Sequence, residues 1–117
     1  MVLIEDNKEE KSLELWVTEY QTPALGFSCK ATETLRAEQT DFQHLAVVHT
    51  EQFGKMLLLD GMVQTTEKDE FVYHEMITMI ALNVHPAPEN VLIIGGGDGG
   101  ALREVVRHPG VVSGTLV

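Results

Sequence analysis

The first half of the chain alternates apolar and polar positions in the way that half-buried strands do. From Phe27 to Thr32, residues 27, 29 and 31 are apolar and residues 28, 30 and 32 are polar. This period of two indicates a strand with one buried face. Further short apolar runs fall at residues 15–19, 43–49, 56–59 and 62–65. We therefore predict a small antiparallel β-sheet domain over residues 15–66.

A tight turn is expected between the last two of these runs, where Asp60 and Gly61 stand side by side. A two-residue hairpin of type I′ needs positive φ at both central residues, and an Asp-Gly pair tolerates this geometry. The pair therefore predicts a β-hairpin at this point.

After Thr66 the apolar spacing changes to three and four residues, which is typical of a helix. One helical stripe contains Tyr73, Ile77, Ile80 and Val84. Thr66 and Asp69 resemble a capping arrangement at the start of a helix. Pro86 lacks the amide donor that helix continuation needs. We predict a largely buried helix that begins near Thr66 and ends before Pro86.

The last part of the chain has the pattern of strand, glycine-rich turn, helix, break and strand. These signals fall at residues 91–94, 95–100, 101–108, 109–110 and 115–117. Such an order is typical of the opening βαβ unit of a doubly wound parallel sheet. We predict an α/β fold, in which the antiparallel β domain precedes a helix and the start of a Rossmann-like, methyltransferase-type domain over residues 67–117. Residues 1–14 are predicted to be a flexible tail.

The composition limits the partners. Eight Lys and Arg stand against eighteen Asp and Glu, which gives a net charge of −10 over 117 residues with His counted as neutral. Nucleic acids and anionic membranes are bound by clustered basic side chains, so neither is expected as a partner, and cationic ligands are favoured. No apolar run approaches the roughly twenty residues of a membrane span. The lone Cys29 excludes an internal disulfide and fits a reducing, cytoplasmic location.

The glycine-rich turn is the strongest candidate for a ligand site. Residues 95–100 read Gly-Gly-Gly-Asp-Gly-Gly, and glycines between a strand and a helix let a nucleotide or nucleoside approach the backbone. Asp98 would repel a phosphate but could pair with an ammonium or lie near a sulfonium. S-adenosylmethionine or its decarboxylated form therefore fits better than NAD. The alternative is that Asp98 only caps the following helix.

Two long motifs carry a resemblance to a known family. LDGMVQTTEKDEFVYHE at residues 59–75 and VLIIGGGDGGALREVVRHP at residues 91–109, with HPAP at 85–88 between them, closely resemble the spermidine synthases. Leu15-Trp16 and residues 38–44 resemble the bacterial branch. The resemblance implies transfer of an aminopropyl group from decarboxylated S-adenosylmethionine, as cosubstrate, to putrescine in polyamine biosynthesis. It implies no metal, no permanently bound cofactor, and a homodimer or homotetramer.

The resemblance also implies roles for individual residues. Gln43 and the turn residues Gly95, Gly96 and Gly97 match positions that bind the nucleoside and methylthioadenosine. Tyr73, His74 and Asp98 match positions at the polyamine or aminopropyl end. Each side chain has a simpler alternative: Gln43 could face solvent, Tyr73 could belong to the core, and His74 could pair with Glu70 one helical turn earlier at the surface.

Spermidine synthases are more than twice as long as this chain. A two-stranded parallel sheet does not cover both of its faces, and no carboxylate lies where a ribose-binding acid is expected, near residues 115–117. We therefore expect the Rossmann-like domain to be truncated, the catalytic base to lie beyond Val117, and residues 1–117 alone to be inactive. The alternatives are a methyltransferase-like protein that uses S-adenosylmethionine, a non-catalytic dimerisation fragment and, more distantly, an NAD-dependent oxidoreductase.

Overall fold

A computed structural model describes residues 13–117, and an antiparallel sheet of five strands forms the first half. The strands follow the order of the chain, and each pairs with the next: β1 (Leu15–Thr22), β2 (Leu25–Gln39), β3 (His44–Thr50), β4 (Gly54–Leu59) and β5 (Met62–Thr66). The predicted antiparallel sheet is confirmed. The predicted tail lies outside the described residues except for its last two, so it stays a prediction, as do the domain boundaries.

Strand β2 is far longer than the alternation over residues 27–32 indicates. It pairs with β1 over 25–31 and with β3 over 31–39. Its register against β3 shifts between Ala31 and Glu33 and again between Thr34 and Arg36. The apolar series of residues 27, 29 and 31 is interrupted at Glu33, next to the first of these irregular positions, and Leu35 and Ala37 then resume the alternation.

The core of the sheet is small and lies on one face. Cys29, Val48, Met56 and Leu58 are buried together, and Phe53 packs against them among other partly buried side chains. Burial raises the pKa of the Cys29 thiol above its ordinary value, because an apolar surrounding disfavours the thiolate. Cys29 therefore serves as a small apolar core residue.

The predicted hairpin between β4 and β5 is confirmed. Asp60 has φ 51° and Gly61 has φ 79°, as a type I′ turn requires. The Asp60 side chain has a further role, since its Oδ1 accepts a hydrogen bond of 2.8 Å from the backbone N–H of His44. This hydrogen bond holds the turn against the start of β3.

Helix α1 (Glu70–Val84) begins four residues after Thr66 and buries a different face from the predicted one. The Thr66 hydroxyl donates to the Asp69 side chain, which makes no hydrogen bond to the helix backbone. The buried stripe consists of His74, Thr78 and Leu82, whereas the predicted stripe is 49–78% exposed. The expectation of a largely buried helix is therefore wrong.

A polar stripe can be buried here because its hydrogen bonds are satisfied locally. The Thr78 hydroxyl donates to the backbone carbonyl of His74 at 2.6 Å. The predicted end of α1 is correct, since the helix ends at Val84, two residues before Pro86. No helix among residues 13–117 is long and apolar enough to cross a membrane.

The predicted βαβ unit is present. Strand β6 (Asn90–Ile93) is followed by helix α2 (Gly100–Arg107) and strand β7 (Ser113–Leu116), and β6 and β7 pair in parallel. Between β6 and α2 the glycine-rich turn holds Gly95, Gly96 and Gly99 at positive φ. Helix α2 packs against α1 as well as against β7. The fold class predicted from the sequence is thus confirmed.

We expect Gly61→Ala to lower the free energy of unfolding by about 1–2 kcal/mol, because left-handed backbone is strained for residues with a Cβ. Gly97→Ala is the matched control, since Gly97 is not held at positive φ and a Cβ there would meet no atom within 4 Å. Urea unfolding of both variants measures the difference. Equal losses in the two variants would contradict the role of the turn.

Candidate functional site

The side chains of chemical interest lie where α1, the glycine-rich turn and α2 meet the sheet. A cavity of about 310 Å³ is lined there by residues of β4 and by His74, Asp98, Gly100 and Arg103. An adjoining groove of about 600 Å³ runs along β5 and the first turns of α1, with Tyr73 and His74 in its wall. His74 therefore borders both spaces.

His74 is buried, with 4% of its surface exposed, and lies between two carboxylates. Its Nδ1 is 2.6 Å from Glu70 Oε2, and its Nε2 is 3.3 Å from Asp98 Oδ2. A Cβ at Gly100 would overlap the imidazole ring. The first residue of α2 must therefore be glycine for the ring to occupy this place.

Glu70 is the centre of the charged network. Arg103 binds it through both terminal nitrogens, with Nη1 2.7 Å from Oε1 and Nη2 2.9 Å from Oε2. These hydrogen bonds are the main cause that lowers the pKa of Glu70 from 4.5 to about 2, and the hydrogen bond with His74 acts in the same direction. The carboxylate is therefore ionised at neutral pH and can only accept hydrogen bonds.

Glu104 continues the network on the other side of Arg103. It is buried, and it accepts from Arg103 Nε at 2.8 Å and from Arg107 Nη1 at 3.0 Å. The hydrogen bond from Arg103 is the main cause that lowers the pKa of Glu104. Arg107 and Arg103, the latter shared with Glu70, thus offset the cost of removing the Glu104 carboxylate from water.

The two carboxylate oxygens of Asp98 have different neighbours. Its Oδ1 accepts from the backbone N–H of Gly100 at 2.9 Å, so it does bind the first turn of α2. Its Oδ2 faces His74, and 34% of the side chain remains exposed. One carboxylate oxygen orders the turn while the other borders the cavity.

The other predicted site residues are more dispersed. Tyr73 is 64% exposed and therefore not a core residue, and its ring lies edge-on to His74 with centroids 5.4 Å apart. Gln43 lies just before β3, where its backbone binds Thr40, and it lines neither the cavity nor the groove. The glycine-rich turn leaves open space beside Gly95 and Gly97. The structure thus brings together Tyr73, His74 and Asp98 but not Gln43.

Sequence reasoning missed Arg103 and Glu104, and it considered the Glu70–His74 pair only as an alternative at the surface. The spacing of four residues between Glu70 and His74 does indicate contact on a helix. However, the side chains of Glu70 and His74 are buried by contact with α2, a helix that is distant from them in the sequence. No local pattern signals the contact between Glu70 and Arg103.

We expect the free energy of unfolding to fall as the pH decreases from about 5 to about 2. Glu70 and Glu104 have folded-state pKa values below the ordinary 4.5, so the unfolded chain binds more protons in this range. Glu104→Gln should reduce this pH dependence. Glu75→Gln, at an exposed position of α1, is the control and should leave it unchanged. Urea unfolding at several pH values is the measurement, and identical pH profiles for all three chains would contradict the argument.

Comparison with known proteins gives matches along nearly the whole described sequence. Residues 15–67 match the family model of the spermidine synthase tetramerisation domain. Residues 70–117 match the family model of the spermine/spermidine synthase domain. The first model covers the antiparallel sheet, and the second covers α1 and the βαβ unit.

Individual relatives agree with these matches. Polyamine aminopropyltransferase 1 of Bacillus cereus is 61% identical over 105 residues, and polyamine aminopropyltransferase of Bacillus subtilis is 60% identical over 104. These alignments cover 90% and 89% of this chain but 38% of each relative.

Among solved structures, spermidine synthase from Thermotoga maritima superposes with a TM-score of 0.82 at 44% identity, covering 87% of this chain and 36% of that one. A spermidine synthase in complex with the transition state analogue AdoDATO gives the same score and identity, and 35% of that chain is covered. The chain thus spans little more than a third of the length of the proteins it matches. By sequence and by fold, it belongs to the spermidine synthase family.

Proposed function

We propose that this chain forms part of an enzyme of polyamine biosynthesis that transfers an aminopropyl group from decarboxylated S-adenosylmethionine to putrescine. In this reaction an amine nitrogen of putrescine attacks the aminopropyl carbon bound to sulfur. The carbon–sulfur bond breaks, sulfur keeps the electron pair, and methylthioadenosine leaves. The nitrogen loses a proton, and spermidine is the product.

The single observation that carries this proposal is the Asp98 carboxylate beside His74. Oδ2 of Asp98 borders the cavity 3.3 Å from His74 Nε2, and no Lys or Arg among the described residues forms an ion pair with it. An ammonium group supplies the positive charge and the N–H donors that this oxygen lacks. A phosphate or a carboxylate in the same place would be repelled.

The groove beside the cavity fits the rest of an amine substrate. It is lined by Val63, Tyr73 and Met76 together with threonine side chains of β5. Such walls suit the methylene groups of a diamine, and the exposed ring of Tyr73 can attract an ammonium through its π face. We assign Tyr73, His74 and Asp98 to the amine end of the substrates.

The nucleoside end is assigned to Gln43 and to the turn residues Gly95, Gly96 and Gly97. Open space beside Gly95 and Gly97 supports close approach of a ligand to this backbone. For Gln43 the support is the family resemblance. Decarboxylated S-adenosylmethionine is then a cosubstrate, with no permanently bound cofactor or metal.

We further propose that the antiparallel sheet mediates assembly into a homodimer or homotetramer. The matching family model is described as a tetramerisation domain. Large apolar side chains are exposed on β1 and β2, among them Trp16, Tyr20, Leu25 and Phe27. Exposed aromatic groups of this kind are typical of protein interfaces. The acidic net charge and the lone cysteine support a cytoplasmic protein that binds neither nucleic acid nor membranes.

We expect Asp98→Asn to weaken binding of decarboxylated S-adenosylmethionine roughly tenfold, because a charge-assisted hydrogen bond is lost. Asp41→Asn, in the exposed turn before β3, is the matched control and should bind as the native chain does. Isothermal titration calorimetry on the 117-residue chain measures both affinities. Unchanged affinity in Asp98→Asn would remove this residue from the site.

The same titrations with S-adenosylmethionine separate the proposed reaction from methyl transfer. Asp98 should repel the additional carboxylate, so the decarboxylated compound should bind more tightly than the carboxylated one. Tighter binding of S-adenosylmethionine would favour a methyltransferase-like protein.

We expect Trp16→Glu to shift the chain towards monomer, because a desolvated aromatic anchor is replaced by a charge. Val112→Glu also replaces an exposed apolar side chain, but outside the sheet, and should leave the assembly unchanged. Sedimentation velocity gives the distribution of species. A native chain that is monomeric at all concentrations would contradict assembly through the sheet.

A further inference from the structure

Glu70 connects the amine site to α2 although it does not itself reach Asp98. One of its oxygens, Oε2, lies 2.6 Å from His74 Nδ1 and 2.9 Å from Arg103 Nη2, while Oε1 lies 2.7 Å from Arg103 Nη1. The side chain is mostly buried, with 20% exposed. Its two partners are therefore fixed together.

The ionised state of Glu70 determines which atom of His74 donates. A carboxylate has no proton to give, so the hydrogen between Oε2 and Nδ1 must belong to the imidazole. The hydrogen bond of one ring nitrogen sets the role of the other. Because Nδ1 is hydrogen-bonded to Glu70, Nε2 is the ring nitrogen that can contact a ligand.

The imidazole of His74 is closely packed. Gly100 lies so close to the imidazole that even a Cβ would overlap it, and the ring of Tyr73 lies on its edge. In this orientation Nε2 points at Asp98 Oδ2, 3.3 Å away. The ring can therefore present Nε2 and Asp98 to the same ligand atom.

The carboxylates that line the cavity differ in whether a Lys or Arg side chain pairs with them. Arg103 compensates Glu70, and Lys55 of β4 is paired with Glu67 at 3.3 Å. Asp98 Oδ2 lies 3.3 Å from His74 Nε2, and among the described residues no Lys or Arg forms an ion pair with Asp98. A single ammonium, with three N–H donors, can bind Asp98 Oδ2 and a neutral Nε2 at once.

From this arrangement we infer that Glu70, held by Arg103, is a positioning residue of the amine site that keeps Nδ1 of His74 protonated and Nε2 directed at the bound ammonium. The inference rests on the proposed function, since it assumes an amine at Asp98. It adds to that function a residue that makes no contact with the amine itself.

The experiment has one readout without ligand and one with decarboxylated S-adenosylmethionine, the amine that Asp98 is proposed to bind. Nitrogen NMR of the His74 ring in the 117-residue chain, assigned with His74→Gln, shows which ring nitrogen bears the proton. We expect the native chain to carry this proton on Nδ1 and Glu70→Gln to lose this preference. The affinity for decarboxylated S-adenosylmethionine, followed by NMR titration, should weaken roughly tenfold in Glu70→Gln, as is common when a group that orients a binding residue is changed.

Two further variants test whether the effect of Glu70→Gln is purely structural. Arg103→Lys keeps the positive charge but loses the fork that holds both oxygens of Glu70, so its effect on the Nδ1 proton and on the affinity for decarboxylated S-adenosylmethionine should have the same direction and be smaller. Glu75→Gln, at an exposed position of the same helix, should leave both readouts as in the native chain. Circular dichroism verifies that each variant is folded.

The outcomes distinguish this inference from the proposed function. Native-like affinity for decarboxylated S-adenosylmethionine in folded Glu70→Gln, or a native His74 without a proton on Nδ1, overturns the positioning role alone. A native chain that does not bind this compound overturns the amine site and, with it, the positioning role. Loss of both the Nδ1 proton and this affinity in Glu70→Gln, with Glu75→Gln unchanged, supports it.

Discussion

The ion pair between Glu70 and Arg103 is the interaction on which the arrangement of the site depends. It joins the first turn of α1 to α2 with two hydrogen bonds of 2.7 and 2.9 Å, and a planar guanidinium permits such a contact in one relative orientation. His74 lies on α1 and Asp98 lies just before α2. The distance between these two side chains is therefore set by a contact in which neither takes part.

Much of the fold could be predicted because its signals are local. The Asp60-Gly61 turn and the order of strand, glycines and helix after Asn90 follow from the conformational preferences of adjacent residues. The full length of β2 was missed because Glu33 interrupts the apolar series of residues 27, 29 and 31 before Leu35 and Ala37 resume it. The buried face of α1 was predicted wrongly. The spacing of apolar residues takes no account of a histidine and a threonine whose hydrogen bonds are satisfied.

Only some residues of the candidate site could be predicted from the sequence. Charge alone indicated that Asp98 suits a cation, and the structure shows its second oxygen at the cavity. The resemblance to spermidine synthases indicated His74 and Tyr73. Arg103 and Glu104 escaped notice because their roles arise from a contact between segments distant in sequence. A ligand site is a property of neighbours in space, and sequence patterns report mainly on neighbours in the chain.

The close contact between Gly100 and the ring of His74 has a consequence for how such a chain can change over generations. Any side chain at position 100 would need the volume that the imidazole now fills. A larger residue at position 100 can be accepted only after position 74 has become smaller or has moved, so the order of mutations matters. The side chains at positions 74 and 100, on different helices, thus compete for the same volume. Substitutions at the two positions should therefore be correlated.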